Sequence, residues 1–410
     1  MDWRVYTTII PKGRKSATAF PGKNGVAIRR EVWYTDGQRK KAGGNGMERQ
    51  YPCVKIHTAR LGQNAREVVS RCHEMGVSVC GVIKGCGGLP EVARLFREAG
   101  ADEIGTSRLE QVAACREAGV EGPYLLLRVP GLTELGGVVA LCDTSLQSER
   151  ATLDALEQEC ARQGKSHSVI IMADLGDLRE GFWDKEEMAD CCVHVERDLP
   201  HVQLKGVGVN LGCYGSIKPT PEKMEELLAI VRDVEGRIGR KLAVISGGAT
   251  SSYRLVHDGT MPAGINHLRI GEGILLAKDL QVDWGITDMD YLRMDTFTLH
   301  GEVLEIRRKP SYPQGEFAID AFGHKPLYVD KGPQIRALIG FGRADVGDVE
   351  SLICCEAGMT VIGGSSDHCI VDATACRPLQ VGDVVEFHLC YSHMLYATGR
   401  SDVRFQFVAD

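Results

Sequence analysis

Three kinds of residue in this 410-residue chain have the types and placement to do chemistry together. Lys84 follows an apolar run ending at Ile83 and precedes Gly85-Cys86-Gly87-Gly88. A lysine there is either a solvated cap or a partly desolvated amine. Desolvation lowers an amine's pKa and suits it to forming a Schiff base. Ser246-Gly247-Gly248-Ala249-Thr250-Ser251-Ser252 is either a simple loop or a phosphate cradle. Glycine lets backbone N–H groups approach an anion, and the hydroxyls add donors. Arg179, within Asp174-Leu175-Gly176-Asp177-Leu178-Arg179-Glu180-Gly181, is either a surface ion pair or a planar fork for a carboxylate. Asn210 ends the run from Leu204, and Arg269 sits within His267-Leu268-Arg269-Ile270-Gly271.

The surrounding pattern says what must position them. From Tyr51 onward short β-branched runs alternate with amphipathic stretches, as in βα units on a parallel sheet. The runs predict strands at 53–56, 77–83, 102–105, 123–128, 141–146, 168–173, 204–210, 242–246 and 267–270. Between them Leu61, Ala65, Val68, Val69 and Cys72 mark one helical face, and Pro90 opens a second helix. Thr220 caps a third, whose buried stripe is Met224, Leu227, Leu228 and Val231. Roughly eight units in about 230 residues match a TIM-type (β/α)8 barrel. An open doubly wound sheet competes, but Gly206-Val207-Gly208-Val209-Asn210-Leu211-Gly212 misses the dinucleotide spacing by one residue. Past Met289 only short alternating runs remain, and no helix is expected in 295–410. The expected architecture is α/β, a barrel over 47–290 followed by a C-terminal all-β domain over 291–410. Such barrels carry their active residues at the C-terminal strand ends, which brings Lys84, Asp174, Asp177, Arg179, Asn210, the 246–252 loop and Arg269 to one mouth. One lysine, one phosphate cradle and two arginines together fit a pyridoxal 5'-phosphate site.

Composition sets limits. With 43% hydrophobic and 25% charged residues, the chain is globular. It has no apolar run long enough to span a membrane and no secretory leader pattern. Fifteen cysteines without a C-x-x-C pair suggest a reduced cytoplasmic enzyme, and no metal site is expected. Residues 1–46 carry ten Lys/Arg against three Asp/Glu, a net of +7, so the rest carries −7 − 7 = −14. An acidic body argues against nucleic acid as a partner. The basic head is expected to be a disordered extension or to lie upstream of the native start; a targeting arm or a working tail are the alternatives.

Seven ordered segments carry a family resemblance. They are Gly81-Val82-Ile83-Lys84-Gly85, the 173–181 segment around Arg179, and Gly208-Val209-Asn210-Leu211-Gly212-Cys213-Tyr214-Gly215. The 246–252 loop, Ile265 to Leu276, Asp320 to Pro326, and Ser365 to Asp372 complete the set. From about Tyr51 to the end the chain resembles the alanine racemase-like (fold type III) pyridoxal phosphate enzymes, and within them the ornithine racemase branch. The resemblance implies a homodimer with shared active sites that interconverts the L and D forms of ornithine or a similar basic amino acid. It implies that Lys84 carries the cofactor and moves the α-proton on one face. Arg269 would face the pyridine nitrogen, with Asn210 beside it in place of a family histidine. Thr250, Ser251, Gly271 and Tyr391 would hold the phosphate. Arg179 would hold the cofactor's phenolic oxygen or the substrate carboxylate. Read from the residues, Asp177 and Glu180 beside Arg179 either place carboxylates near a side-chain ammonium, favouring ornithine or lysine over alanine, or are solvated loop acids. Asp367 is also expected toward the substrate.

One departure matters. The family places a tyrosine base in a Gly-Tyr-Ala-Asp segment of the partner's β domain. The matching stretch here is Gly340-Phe341-Gly342-Arg343-Ala344-Asp345, and phenylalanine cannot transfer a proton. The second base then falls to His368, Tyr391, His324 or Asp320. His368 is favoured because an imidazole exchanges protons near neutral pH. The same departure leaves room for aldol cleavage or dehydration of a D-amino acid, or for a non-catalytic cofactor-binding protein.

Overall fold

The computed structural model describes residues 50–319, 321–323 and 327–409, so the basic head at 1–46 and the candidates Asp320 and His324 lie outside the described residues. Alternating apolar residues and β-branching produce β1 (Cys53–His57), β2 (Ser78–Val82), β3 (Glu103–Thr106), β4 (Tyr124–Leu126) and β5 (Thr144–Gln147). They continue through β6 (His167–Ala173), β7 (Val202–Val209), β8 (Val244–Ser246) and β9 (His267–Ile270). The helices between them are α1 (Thr58–Glu74), α2 (Pro90–Glu98), α3 (Leu109–Glu117), α4 (Leu135–Leu141), α5 (Arg150–Gln163), α6 (Lys185–Asp198), α7 (Pro221–Ile238), α8 (Tyr253–His257) and α9 (Glu272–Leu275). The helix starts follow capping chemistry. Pro90 and Pro221 open α2 and α7, and the Thr220 hydroxyl accepts from the Lys223 N–H.

Strands β2 to β9 close into a parallel barrel in chain order. All four residues of β3 and of β9 are buried, as a barrel strand covered by helices outside and packed side chains inside requires. The C-terminal part is a second sheet of β10 (Phe297–Pro310), β11 (Pro333–Ile339), β12 (Ile353–Cys354), β13 (Thr360–Gly364), β14 (Cys369–Asp372), β15 (Val384–His388) and β16 (Arg404–Val408). Its spine is β10, which pairs antiparallel with both β11 and β15.

Two expectations are corrected. The first predicted strand, β1, is not in the barrel; it joins the second sheet, antiparallel to β10 and parallel to β16. Its alternation reveals two faces but not which strand will bond its edges. The proposed boundary at 290 is therefore crossed, and the described residues belong to one compact unit, Glu48–Asp410, with a continuous core. The C-terminal part also contains helix, at α10 (Arg343–Val346) and α11 (Tyr391–Thr398). Both are too short for a helical period to register, and α11 buries His393 beside Met394 and Ala397.

The glycines of Gly206-Val207-Gly208 serve packing. A Cβ on Gly206 would lie 1.9 Å from the Val244 carbonyl oxygen across the β7–β8 pair. Gly206→Ala is expected to lose about 3 kcal/mol or more, because strand backbone must move to admit it. Gly236→Ala, on α7 where an added Cβ meets nothing within 4 Å, is expected to gain about 1 kcal/mol or less. Denaturant unfolding of both variants checks the contrast.

Candidate active site

A cavity of about 380 Å³ opens at the C-terminal ends of the barrel strands. Eight of the residues singled out in the sequence line it: Lys84, Arg179, Asn210, Thr250, Ser251, Arg269, Gly271 and Tyr391. Lys84 begins a single 3-10 turn, Lys84–Cys86, just beyond β2. Gly87 and Gly88, at φ 66° and 74°, turn the chain into α2 and return the Gly88 N–H to the Ile83 carbonyl at 3.0 Å. Burial pushes the Lys84 amine below its ordinary 10.5. Cys213 and Glu180 oppose that shift, while Arg179 and Arg269 reinforce it. Gly85 leaves room for Tyr391, since a Cβ there would meet the ring at 2.7 Å.

Arg269, on β9, is only 4% exposed. Its Nη2 donates to the Val209 carbonyl at 2.9 Å and to Asn210 Oδ1 at 3.5 Å, and its Nη1 donates to Ser246 Oγ. The loop after β8 makes one turn, Thr250–Ser252. Thr250 Oγ1 accepts from the Gly273 N–H at 3.1 Å and the Gly271 N–H at 3.4 Å. Its own hydroxyl proton therefore points elsewhere. Ser251 donates to the Leu211 carbonyl at 2.8 Å, which commits its hydroxyl to the loop. Burial pushes the Tyr391 phenol well above its ordinary pKa, so it is a donor.

Other predicted residues are placed differently. Arg179 lines the cavity, but its fork grips the neighbouring Glu180, with Nη2 to Oε1 at 2.6 Å. Asp177 does not face the cavity. It is 2% exposed, and its carboxylate accepts the Cys213 and Tyr214 N–H groups at 3.2 and 3.1 Å. Asp177 thereby anchors the loop that carries Cys213. Asp367 and His368 lie in the turn between β13 and β14, away from the cavity lining of their own chain. There the His368 N–H donates to Ser365 Oγ at 3.2 Å. Phe341 is fully buried and packs edge-on against Phe387 at 5.3 Å between ring centroids.

Sequence reasoning missed Cys213, Glu272, Asp279 and Trp284, all of which line the cavity. Glu272 could have been found, since it directly follows Gly271. Its Oε1 accepts the Lys278 and Asp279 N–H groups at 2.9 and 3.0 Å. Burial and the nearby Asp279 raise its pKa. Near the C-terminus Cys390 Sγ lies 3.1 Å from His393 Nδ1, a contact the sequence did not reveal. The same nitrogen accepts the Cys390 N–H, and Nε2 meets the Asp348 carbonyl. Among the described residues no three His, Cys, Asp or Glu side chains converge as metal ligands.

These residues fit pyridoxal phosphate. They offer a desolvated amine, a fixed guanidinium, and the Thr250 hydroxyl with the Gly271 backbone beside it, all on one cavity wall. Glycine at 271 lets the chain leaving β9 pass close to β2, because a Cβ there would come within 3.1 Å of the Val82 carbonyl oxygen. The Asn210 amide nitrogen is buried without a partner among the described residues, an unmet donor on the cavity wall.

Comparison with known proteins agrees. Residues 56–279 match the model for the alanine racemase N-terminal domain. The chain is 37% identical to a lysine racemase from Thermotoga maritima, over 85% of this chain and 96% of that protein. It is 34% identical to an ornithine racemase from Acetoanaerobium sticklandii, over 84% and 96%. The structure of an alanine racemase from Streptomyces lavendulae superposes with a TM-score of 0.68 at 18% identity, covering 87% of this chain and 97% of that one. This chain belongs to the alanine racemase family.

Proposed function

We propose that the protein is a pyridoxal 5'-phosphate-dependent amino-acid racemase acting on a basic amino acid, ornithine or lysine. The observation that carries the reading is the pairing of a desolvated Lys84 with a buried Arg269 in one cavity, in a chain similar along most of its length to lysine and ornithine racemases. When bound, the cofactor supplies an electron sink that makes the substrate Cα–H acidic. Lys84 attaches it and, freed by substrate, is the amine that takes and returns the α-proton on one side; burial favours the neutral form that can accept it. Arg269 would face the ring nitrogen of the bound cofactor. It keeps its own proton and so leaves that nitrogen unprotonated, which favours quick return of a proton to Cα over transamination. Thr250, Ser251, Gly271 and Tyr391 hold the phosphate; Ser251 does so through its backbone, because its hydroxyl is committed to Leu211.

Arg179 takes an anionic group of cofactor or substrate, displacing Glu180 from its fork. Glu180, also on the cavity wall, then meets the side-chain ammonium of the substrate. Phe341 cannot serve as the second base, and His368 with Asp367 does not reach the cavity of its own chain. A homodimer that brings one protomer's β13–β14 turn to the other's barrel mouth supplies His368 on the second face and Asp367 beside the substrate.

Chiral chromatography of L-ornithine, L-lysine and L-alanine incubated with the protein and pyridoxal phosphate is expected to yield the D form fastest from a basic substrate. Glycine or a keto acid released from a hydroxylated amino acid, with no D-ornithine or D-lysine, would replace racemisation with cleavage. Lys84→Ala is expected to lose about a thousandfold or more in rate. In the protein freed of cofactor, attachment of pyridoxal phosphate to Lys84 should rise with pH around a midpoint below 10.5, because burial disfavours the ammonium form. A midpoint at or above 10.5 would show that the amine is solvated.

A further inference from the structure

Beneath Arg269 the barrel interior holds a run of polar side chains that the proposed mechanism does not use. Ser246 ends β8 and His267 begins β9, and the two are paired in register. His267 and Arg269 are two residues apart on one strand and so point to the same side of it, into the barrel. Arg269 Nη1 donates to Ser246 Oγ. Ser246 Oγ lies 2.8 Å from His267 Nδ1, and His267 Nε2 lies 2.8 Å from Glu103 Oε1. All are sealed from solvent, with Ser246 0%, His267 2% and Glu103 5% exposed. Glu103 sits at the start of β3, the opposite end of the barrel from the cavity.

Donor chemistry fixes the two ends of the run. Guanidinium N–H groups only donate, so Ser246 Oγ accepts from Arg269. Ionised Glu103 also only accepts, so His267 Nε2 carries a proton and donates to it. With that as the ring's one proton, His267 Nδ1 accepts from the Ser246 hydroxyl. Each bond points from Arg269 toward one carboxylate. Burial alone would raise the Glu103 pKa, but its bonds to His267 and Lys205 outweigh burial and hold it below the ordinary value. A buried guanidinium needs compensating charge. No carboxylate touches Arg269 directly among the described residues, and the run from Ser246 to Glu103 links it to one.

We infer that Ser246, His267 and Glu103 form a positioning relay that fixes the Arg269 guanidinium in place and conveys the Glu103 charge to it, and so sets how Arg269 meets the ring nitrogen of the cofactor. The inference rests on the racemase reading above. These three are positioning residues, because none of them lines the cavity. The relay also accounts for a serine, not a larger polar residue, at the end of β8. Its hydroxyl both accepts and donates at one atom, and a Cβ on the facing Gly208 would already lie 3.0 Å from the Ser246 Cβ.

Glu103→Gln tests it with little change of shape, since the amide oxygen still accepts from His267 while the charge is gone. The variant and the parent are loaded with pyridoxal phosphate and compared by the visible absorption of the bound cofactor, its dissociation constant, and kcat and KM for the racemised amino acid. The expected result is a shifted absorption maximum and a kcat lower by about ten- to a hundredfold with KM little changed, the range for removing a hydrogen-bond partner behind a functional group. Ser246→Ala should shift the spectrum in the same direction, and it carries the test if Glu103→Gln does not fold. Parent-like spectra and kcat in the folded variants would overturn the relay, even if their melting temperatures fall, and would leave the racemase reading standing. A parent that neither binds the cofactor nor racemises any amino acid would instead overturn the reading beneath it.

Discussion

Two cations share one desolvated cavity, and most of the structure answers that constraint. Lys84 and Arg269 face the same space, and each raises the cost of charging the other. Arg269 cannot relieve the strain by losing a proton, so the fold surrounds it with acceptors: the Val209 carbonyl, the Asn210 amide oxygen and the Ser246 hydroxyl. Lys84 can lose one and is pushed toward doing so. The same electrostatics that make the site costly to fold favour the neutral form of the lysine.

The barrel solves the placement problem. Parallel strands end together at one rim, so a lysine after β2, a loop after β8 and an arginine on β9 meet although about 185 residues separate the first from the last. Glycine sets how tightly they meet. Gly85 admits the Tyr391 ring from a helix far along the chain, and Gly271 lets the chain after β9 pass close to Val82. That contact ties the C-terminal part to the barrel mouth within one protomer. The turn bearing His368 lies away from the lining of that mouth.

Much of this was legible in the sequence because it depends on local signals. The predicted strand at 267–270 coincides with β9, and the others differ from the observed strands by a few residues at their ends. Lys84, Thr250, Arg269 and Gly271 could be named because barrel chemistry sits at strand ends. What was not legible depends on partners. The alternation of β1 could not announce that it bonds to β10 and β16. Asp177 beside Arg179 reads as a substrate contact until its carboxylate is seen to hold the backbone at 213 and 214. Glu103 and His267 lie 164 residues apart, and nothing in either segment names the other. Phe341 was visible as a lost base, but its packing against Phe387 was not.

The central claim is that this cavity moves a proton on and off both faces of an α-carbon. Proton NMR of the protein with pyridoxal phosphate in D2O, started separately from L-ornithine and D-ornithine and followed by chiral analysis of the same samples, tests it most directly. The account predicts loss of the α-proton signal from both enantiomers, with the opposite enantiomer appearing in each. Exchange with retained configuration would contradict it, because Lys84 would then be working on one face with no second base.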